Sequence, residues 1–159
     1  MLLKKTFRFE ASHILPLHPG KCSRLHGHSW VLHVYVRGKR DPKTGMVMDY
    51  ADISEKMKPV VEDLDHRHLG AWEVEKNGMI HHIGGRRLWS VPWLPDDWNP
   101  TSENLLYEIG RQLYKVDFYW SELALEETCT SWAALTSSEF MEEYSKEYGV
   151  SEAAKLVQK

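Results

Sequence analysis

Residues 5–13, KTFRFEASH, alternate without a break: Phe7, Phe9, Ala11 and His13 fall on one side, Thr6, Arg8, Glu10 and Ser12 on the other. A period of two fits an extended strand with one face covered and one face wet. The chain must therefore build a sheet and lay apolar cover against one side of it, and His13 stands at the end of that covered side. A second strand is expected over 26–37, HGHSWVLHVYVR, which is dense in β-branched and aromatic side chains. The intervening LPLHPGK reads as loop, and KRDPKTG as a turn before MVMDY.

Helical spacing follows. Ile53, Met57, Val60 and Leu64 recur at intervals of four, three and four, predicting a helix over 52–64 with Asp52 as its cap and Glu55 three residues on. Pro59 either interrupts or restarts it. A second helix begins at Thr101 as N-cap, with Leu106, Ile109 and Leu113 on one stripe. SELALEET alternates again, a short strand around Trp132 follows, and residues 138–157 form an amphipathic tail helix with Tyr144 and Tyr148 on one side. The segment 70–98, rich in Gly, Trp and Pro, is a long insertion whose pattern assigns it no structure. Strand, strand, helix, helix, strand, strand and tail helix predict an α+β domain, an antiparallel sheet with helices on one face.

At 159 residues the chain has the length of a single domain. A net charge of −3 gives no general affinity for nucleic acid or anionic membranes, so an anionic ligand needs a local basic cluster. No apolar run approaches the ~20 residues of a membrane span. The start, MLLKKTFRFEASH, does not read as a signal peptide, so Cys22 and Cys129 are expected as reduced thiols in the cytoplasm.

Nine histidines are generous for this length. His26 and His28 lie two apart on a strand, so their rings leave the same face roughly 7 Å apart along the backbone. Gly27 between them lets the backbone bend toward a ligand. Hairpin pairing brings His13 to the same spot, and three neutral imidazoles suit Zn²⁺ with a fourth position left for water or substrate. The spacing leaves a second arrangement open, in which Cys22 closes a four-ligand structural site. His18, His33, His68, His81 and His82 have no such neighbours and read as ordinary structural residues.

In DLDHRHL, Asp65 precedes His66 at a helix end. A carboxylate beside an imidazole orients it for acid–base work, although a histidine at a helix C-terminus is also stabilised by the dipole alone. In SELALEET, Glu127 shares the apolar face of Leu123 and Leu125, where a carboxylate needs a partner. That partner is either a ligand with adjacent N–H donors, such as a guanine-like ring edge, or an internal cation. Glu126 faces solvent.

FEASH, Cys-x₃-His-Gly-His, GMVMDY, LDHRHL, PTSENL and EET occur here in the order and rough spacing of the 6-pyruvoyl-tetrahydropterin synthase family, which the chain resembles from residue 7 to about 135. The three-residue gap between Cys22 and His26 resembles the 6-carboxy-tetrahydropterin synthase branch. The resemblance implies the tunnelling fold (T-fold) assembled as a homohexamer, with a catalytic domain over 1–137, including the insertion at about 70–98, and a helical extension over 138–159. It implies zinc on His13, His26 and His28, and a catalytic Cys22 acting with Asp65 and His66, the last two serving either their own subunit's metal or a neighbour's. Glu127 would grip the pterin ring, helped by Thr101 and Ser102. Lys21 and Arg24, ahead of Arg86 and Arg87, would hold a triphosphate. The implied reaction converts 7,8-dihydroneopterin triphosphate to 6-carboxy-5,6,7,8-tetrahydropterin, releasing acetaldehyde and triphosphate, in 7-deazaguanine and queuosine biosynthesis. The implied partners are that small-molecule substrate and copies of the chain, with no nucleic acid and no membrane. Leu69-Gly70 stands where the family usually has Leu-Asn after the dyad, and the insertion is longer than in compact versions of the branch.

Overall fold

The computed structural model describes residues 1–70, 91, 93–95 and 98–149. Among them the chain runs β1 (Leu2–His13), a 3₁₀ turn (Lys21–Ser23), β2 (His26–Arg37), α1 (Tyr50–Leu64), β3 (Arg67–His68), α2 (Ser102–Lys115), β4 (Glu122–Thr128), β5 (Ser131–Thr136) and α3 (Ser137–Tyr148). The strands form one sheet in the order β3-β1-β2-β4-β5, antiparallel throughout except where β3 lies parallel to β1 beside Ala11 and Ser12. The α+β architecture expected from the sequence is the one observed. The two residues of β3 are too few to show an alternation, so no periodicity announces them.

The alternation of β1 continues into β2 and β4. Phe9 and Ala11, then Trp30, Leu32, Val34 and Val36, then Leu123 and Leu125 all point to the face that the helices cover. Phe9 and Trp30 stack there with centroids 6.0 Å apart. The α1 stripe Ile53, Met57, Val60 and Leu64 is buried, as are Leu105, Leu106, Ile109 and Leu113 of α2. Each such side chain contributes about 1.5–3 kcal/mol by leaving water.

The helix ends explain the boundaries. Asp49, not Asp52, caps α1: it keeps an extended backbone (φ −74, ψ 137) and its carboxylate accepts the Ala51 N–H at 2.8 Å. Asp52 lies inside the first turn, so its own backbone is already helical. The helix runs through Pro59, which sits on its exposed side, where water can take the carbonyl freed by the missing N–H. Thr101 caps α2 as expected, accepting the Asn104 N–H at 3.3 Å. Thr136 and Glu139 form a capping box at the start of α3, whose Phe140 inserts against Trp120 and Tyr107. α3 ends at Tyr148. The remainder of the expected 138–157 helix, and most of the 70–98 insertion with His81, His82, Arg86 and Arg87, lie outside the described residues.

Candidate metal centre and its surroundings

Strand register builds the centre. His13 stands directly across from His26, and Ala11, two residues earlier, is across from His28. The three rings therefore leave one face of the hairpin, with centroids 4.4, 5.1 and 5.0 Å apart for the pairs 13–26, 13–28 and 26–28. Gly27 permits the close pairing: a Cβ there would sit 3.2 Å from the Ala11 carbonyl oxygen. Trp30 floors the site, its ring edge-on to His13 at 5.2 Å and to His28 at 5.3 Å, while its indole N–H donates to the Ala11 carbonyl.

Backbone carbonyls fix two of the tautomers. The Nδ1 of His13 lies 2.9 Å from the Pro100 oxygen, and the Nδ1 of His26 lies 2.7 Å from the Arg24 oxygen. Each of these nitrogens must carry the proton, because a carbonyl can only accept. The two Nε2 atoms are then lone pairs, yet they face one another at 3.0 Å. The Nε2 of His28 is buried without a hydrogen-bond partner. Burial pushes the His13 pKa down to about 4 against the raising effect of the Pro100 bond, and burial likewise lowers that of His28. Neutral rings with converging lone pairs are what a zinc site requires, and the carbonyl partners orient them as metal-ligating histidines commonly are.

Glu127 joins them. Its Oε1 lies 3.3 Å from His13 Nε2 and 3.4 Å from His28 Nε2, and ligand atoms of all four residues lie within 4.8 Å of one another. Between β4 and β5 the pairing passes from Glu126–Trp132 to Thr128–Ser131, so Glu127 is the extra residue of a bulge, a device that re-aims a side chain. Strand alternation had put this carboxylate on the apolar face. Its convergence on the imidazoles was not read from the sequence, because that needs the register of β4 on β2.

Cys22 is half-buried on the 3₁₀ turn, and its carbonyl accepts the Leu15 N–H at 2.8 Å, which folds the loop back onto the end of β1. It is not a member of the mutually close ligand group. Lys21 and Arg24 flank it and are exposed. Thr101 and Ser102 open α2 directly after Pro100, whose carbonyl holds His13.

Asp65 and His66 sit at the C-terminal end of α1, just before β3, the edge strand of the sheet among the described residues. Asp65 is the C-cap of α1, and its Oδ1 accepts the Glu10 N–H at 2.8 Å. That bond, with help from His66, holds its carboxyl below the usual range. His66 has φ 57, a left-handed turn that sends the chain back along β1, and its N–H donates to the Glu10 oxygen. Its Nδ1 lies 2.9 Å from Asp65 Oδ2, and the ring is 79% exposed. The dyad is formed, but its partners among the described residues are Glu10 and each other, not the imidazole cluster.

The other described histidines make contacts of their own, outside the cluster. His33 bonds Thr6 and Glu126 on the opposite face of the sheet, His68 is buried against Ser12, and His18 accepts the Gly20 N–H. Glu126, expected in solvent, is thus partly engaged. Among the described residues no helix is long and apolar enough to cross a membrane.

The family model described as 6-pyruvoyl tetrahydropterin synthase matches residues 2–138. Similar curated proteins include the 6-carboxy-5,6,7,8-tetrahydropterin synthase of Synechocystis, 47% identical over 73 residues covering 43% of this chain and 57% of that one. The protein of the same name from Haemophilus influenzae is 40% identical over 82 residues, covering 49% and 58%. The one from Rickettsia bellii is 31% identical over 114 residues, covering 69% and 78%. The chain spans somewhat over half the length of the first two. Among solved structures, 6-pyruvoyl tetrahydropterin synthase of Caenorhabditis elegans superposes with a TM-score of 0.66 at 25% identity, covering 86% of this chain and 95% of that one. The Plasmodium vivax enzyme of that name shares the fold, with a TM-score of 0.59 at 19% identity over 85% and 97%.

Proposed function

The chain belongs to the 6-pyruvoyl tetrahydropterin synthase family, and from that premise we propose that it is a zinc-dependent lyase acting on 7,8-dihydroneopterin triphosphate. With one water the atoms balance to 6-carboxy-5,6,7,8-tetrahydropterin, acetaldehyde and triphosphate, a step toward 7-deazaguanine compounds such as queuosine. The observation that carries the reading is the cluster of His13, His26 and His28, in which the Nε2 lone pairs of His13 and His26 face one another at 3.0 Å and His28 Nε2 is buried without a hydrogen-bond partner. The 6-carboxy activity is favoured over the 6-pyruvoyl one by the short Cys22–His26 gap and by the names of the relatives above.

When bound, zinc supplies Lewis acidity toward the substrate's side-chain oxygens and the C–H beside them. Every other part belongs to the chain. Cys22, on its turn beside the imidazoles in sequence, exchanges a proton with the substrate side chain as thiolate and thiol. His66 moves the second proton, and Asp65 holds and orients its ring by Nδ1. Glu127 accepts two hydrogen bonds from the amidine edge of the pterin ring, setting the reacting carbons over the metal, with Thr101 and Ser102 alongside. Lys21 and Arg24 take the triphosphate. Because the dyad, among the described residues, bonds Glu10 and itself and not its own imidazole cluster, it serves the metal of a neighbouring subunit in a cytoplasmic homohexamer built from residues 1–137, with 138–159 as a C-terminal helical extension.

Purified zinc-loaded protein supplied with 7,8-dihydroneopterin triphosphate tests the reading. Acetaldehyde in step with substrate loss supports it, a pyruvoyl product transfers it to the sister activity, and unchanged substrate leaves a pterin-binding oligomer in its place.

A further inference from the structure

The geometry points to Glu127 as a fourth, exchangeable ligand that closes the metal site until a pterin ring draws it away. The inference rests on the zinc reading above and adds a second state to the site. A tetrahedral zinc with bonds of about 2.0–2.1 Å has ligand atoms about 3.3–3.4 Å apart. Glu127 Oε1 stands 3.3 Å from His13 Nε2 and 3.4 Å from His28 Nε2, matching two of the six edges of such a tetrahedron.

The donor chemistry agrees. His13 Nδ1 spends its proton on Pro100, so its Nε2 cannot donate to the carboxylate, and His28 Nε2 makes no hydrogen bond at all. His13 Nε2 and the Glu127 carboxylate are thus acceptors facing one another, which repel unless a cation lies between them. Three neutral imidazoles also leave a divalent ion with its full charge against the apolar floor of Trp30, and one carboxylate halves that charge. The bulge that frees Glu127 from regular pairing gives its side chain room to swing. At rest the carboxylate fills the position that substrate needs. An arriving ring offers its amidine N–H donors, takes the carboxylate, and opens the metal at the moment substrate is present.

The test uses the full chain stripped of metal, in wild-type, Glu127→Gln and Glu127→Ala forms, with the same fold checked by circular dichroism. Competition with a chromophoric chelator gives zinc affinity, and azide titration of the cobalt-loaded protein, read in the visible bands, gives access to the fourth position. Loss of a direct ligand weakens zinc by about tenfold or more in Glu127→Ala, with Gln between. Azide then binds the Ala form at about a tenth of the concentration that wild type requires. Differences under threefold in both measurements overturn the ligand role. Pterin itself, the ring without a side chain, sharpens azide binding to cobalt wild type, and no change there overturns the exchange. None of these readouts involves turnover, so failure of acetaldehyde release would strike the proposed function alone.

Discussion

His68 gives the fold a calculable weakness to acid. The ring is 4% exposed, its Nδ1 is 3.0 Å from Ser12 Oγ, and Gly70 packs against its Nε2. Burial, with a smaller contribution from His13, brings its pKa down to about 3 from 6.5. Because folding lowers this pKa, the unfolded chain binds more protons between pH 6.5 and about 3, and stability falls as pH falls through that window. At pH 5 the unfolded ring is almost wholly protonated and the folded one almost wholly neutral, so the loss relative to pH 7.5 is about 2 kcal/mol. His13, at about 4, adds a similar loss of about 2 kcal/mol in metal-free protein. Together they remove about 4 kcal/mol from a total on the order of 5–15. Urea unfolding of metal-free protein at pH 7.5 and 5.0 reads this directly, each 2 kcal/mol moving the midpoint by about 1 M at a slope of about 2 kcal/mol per molar. His68→Asn keeps a donor for Ser12 and removes the titrating ring, so the pH-dependent drop should halve while any packing loss cancels between the two pH values. A variant that loses as much as wild type on acidification would show that the buried His68 ring is not the group whose protonation destabilises the fold.

Cys22→Ala should retain zinc within error while acetaldehyde formation falls by on the order of 10²-fold or more, and loss of zinc would instead revive sulfur as a ligand. Asp65→Asn preserves an acceptor for the Glu10 N–H but removes the charge beside His66, so turnover should drop by about 10²-fold with zinc content unchanged, since the dyad does not touch the imidazoles. Gly110→Ala would gain up to about 1 kcal/mol of helix propensity. The added Cβ, however, would stand 3.1 Å from both Trp120 and Phe140, an overpacking cost of about 1–3 kcal/mol. The thermal midpoint should fall by a few degrees, and a rise would show that α3 does not press on α2 there.

The half of the site carried by β1 and β2 could be read from the chain because a strand has a period of two. Once Phe9 and Trp30 face the core, His13, His26 and His28 must follow on the same face, and hairpin pairing leaves little freedom in where they meet. The stripes of α1 and α2 were legible for the same reason at a different period. What escaped is decided either by a local choice the pattern leaves ambiguous or by contacts between distant segments. Capping of α1 by Asp49 rather than Asp52 is decided by which backbone stays extended, a matter of one turn that two nearby aspartates leave ambiguous. The pairing of β3 with β1 involves two residues with no pattern of their own. Alternation places Glu127 on the face of Leu123 and Leu125, but its approach to His13 and His28 depends on a bulge that alternation does not announce.

Metal content is the most direct test of the central claim that converging lone pairs of His13, His26 and His28 hold a divalent ion. Elemental mass spectrometry of protein purified without chelator and dialysed should find about one zinc per chain in wild type and close to none in His28→Ala, with fold retained. Wild-type protein that stays metal-free when offered zinc, or a His28→Ala variant that binds it equally well, would contradict the account.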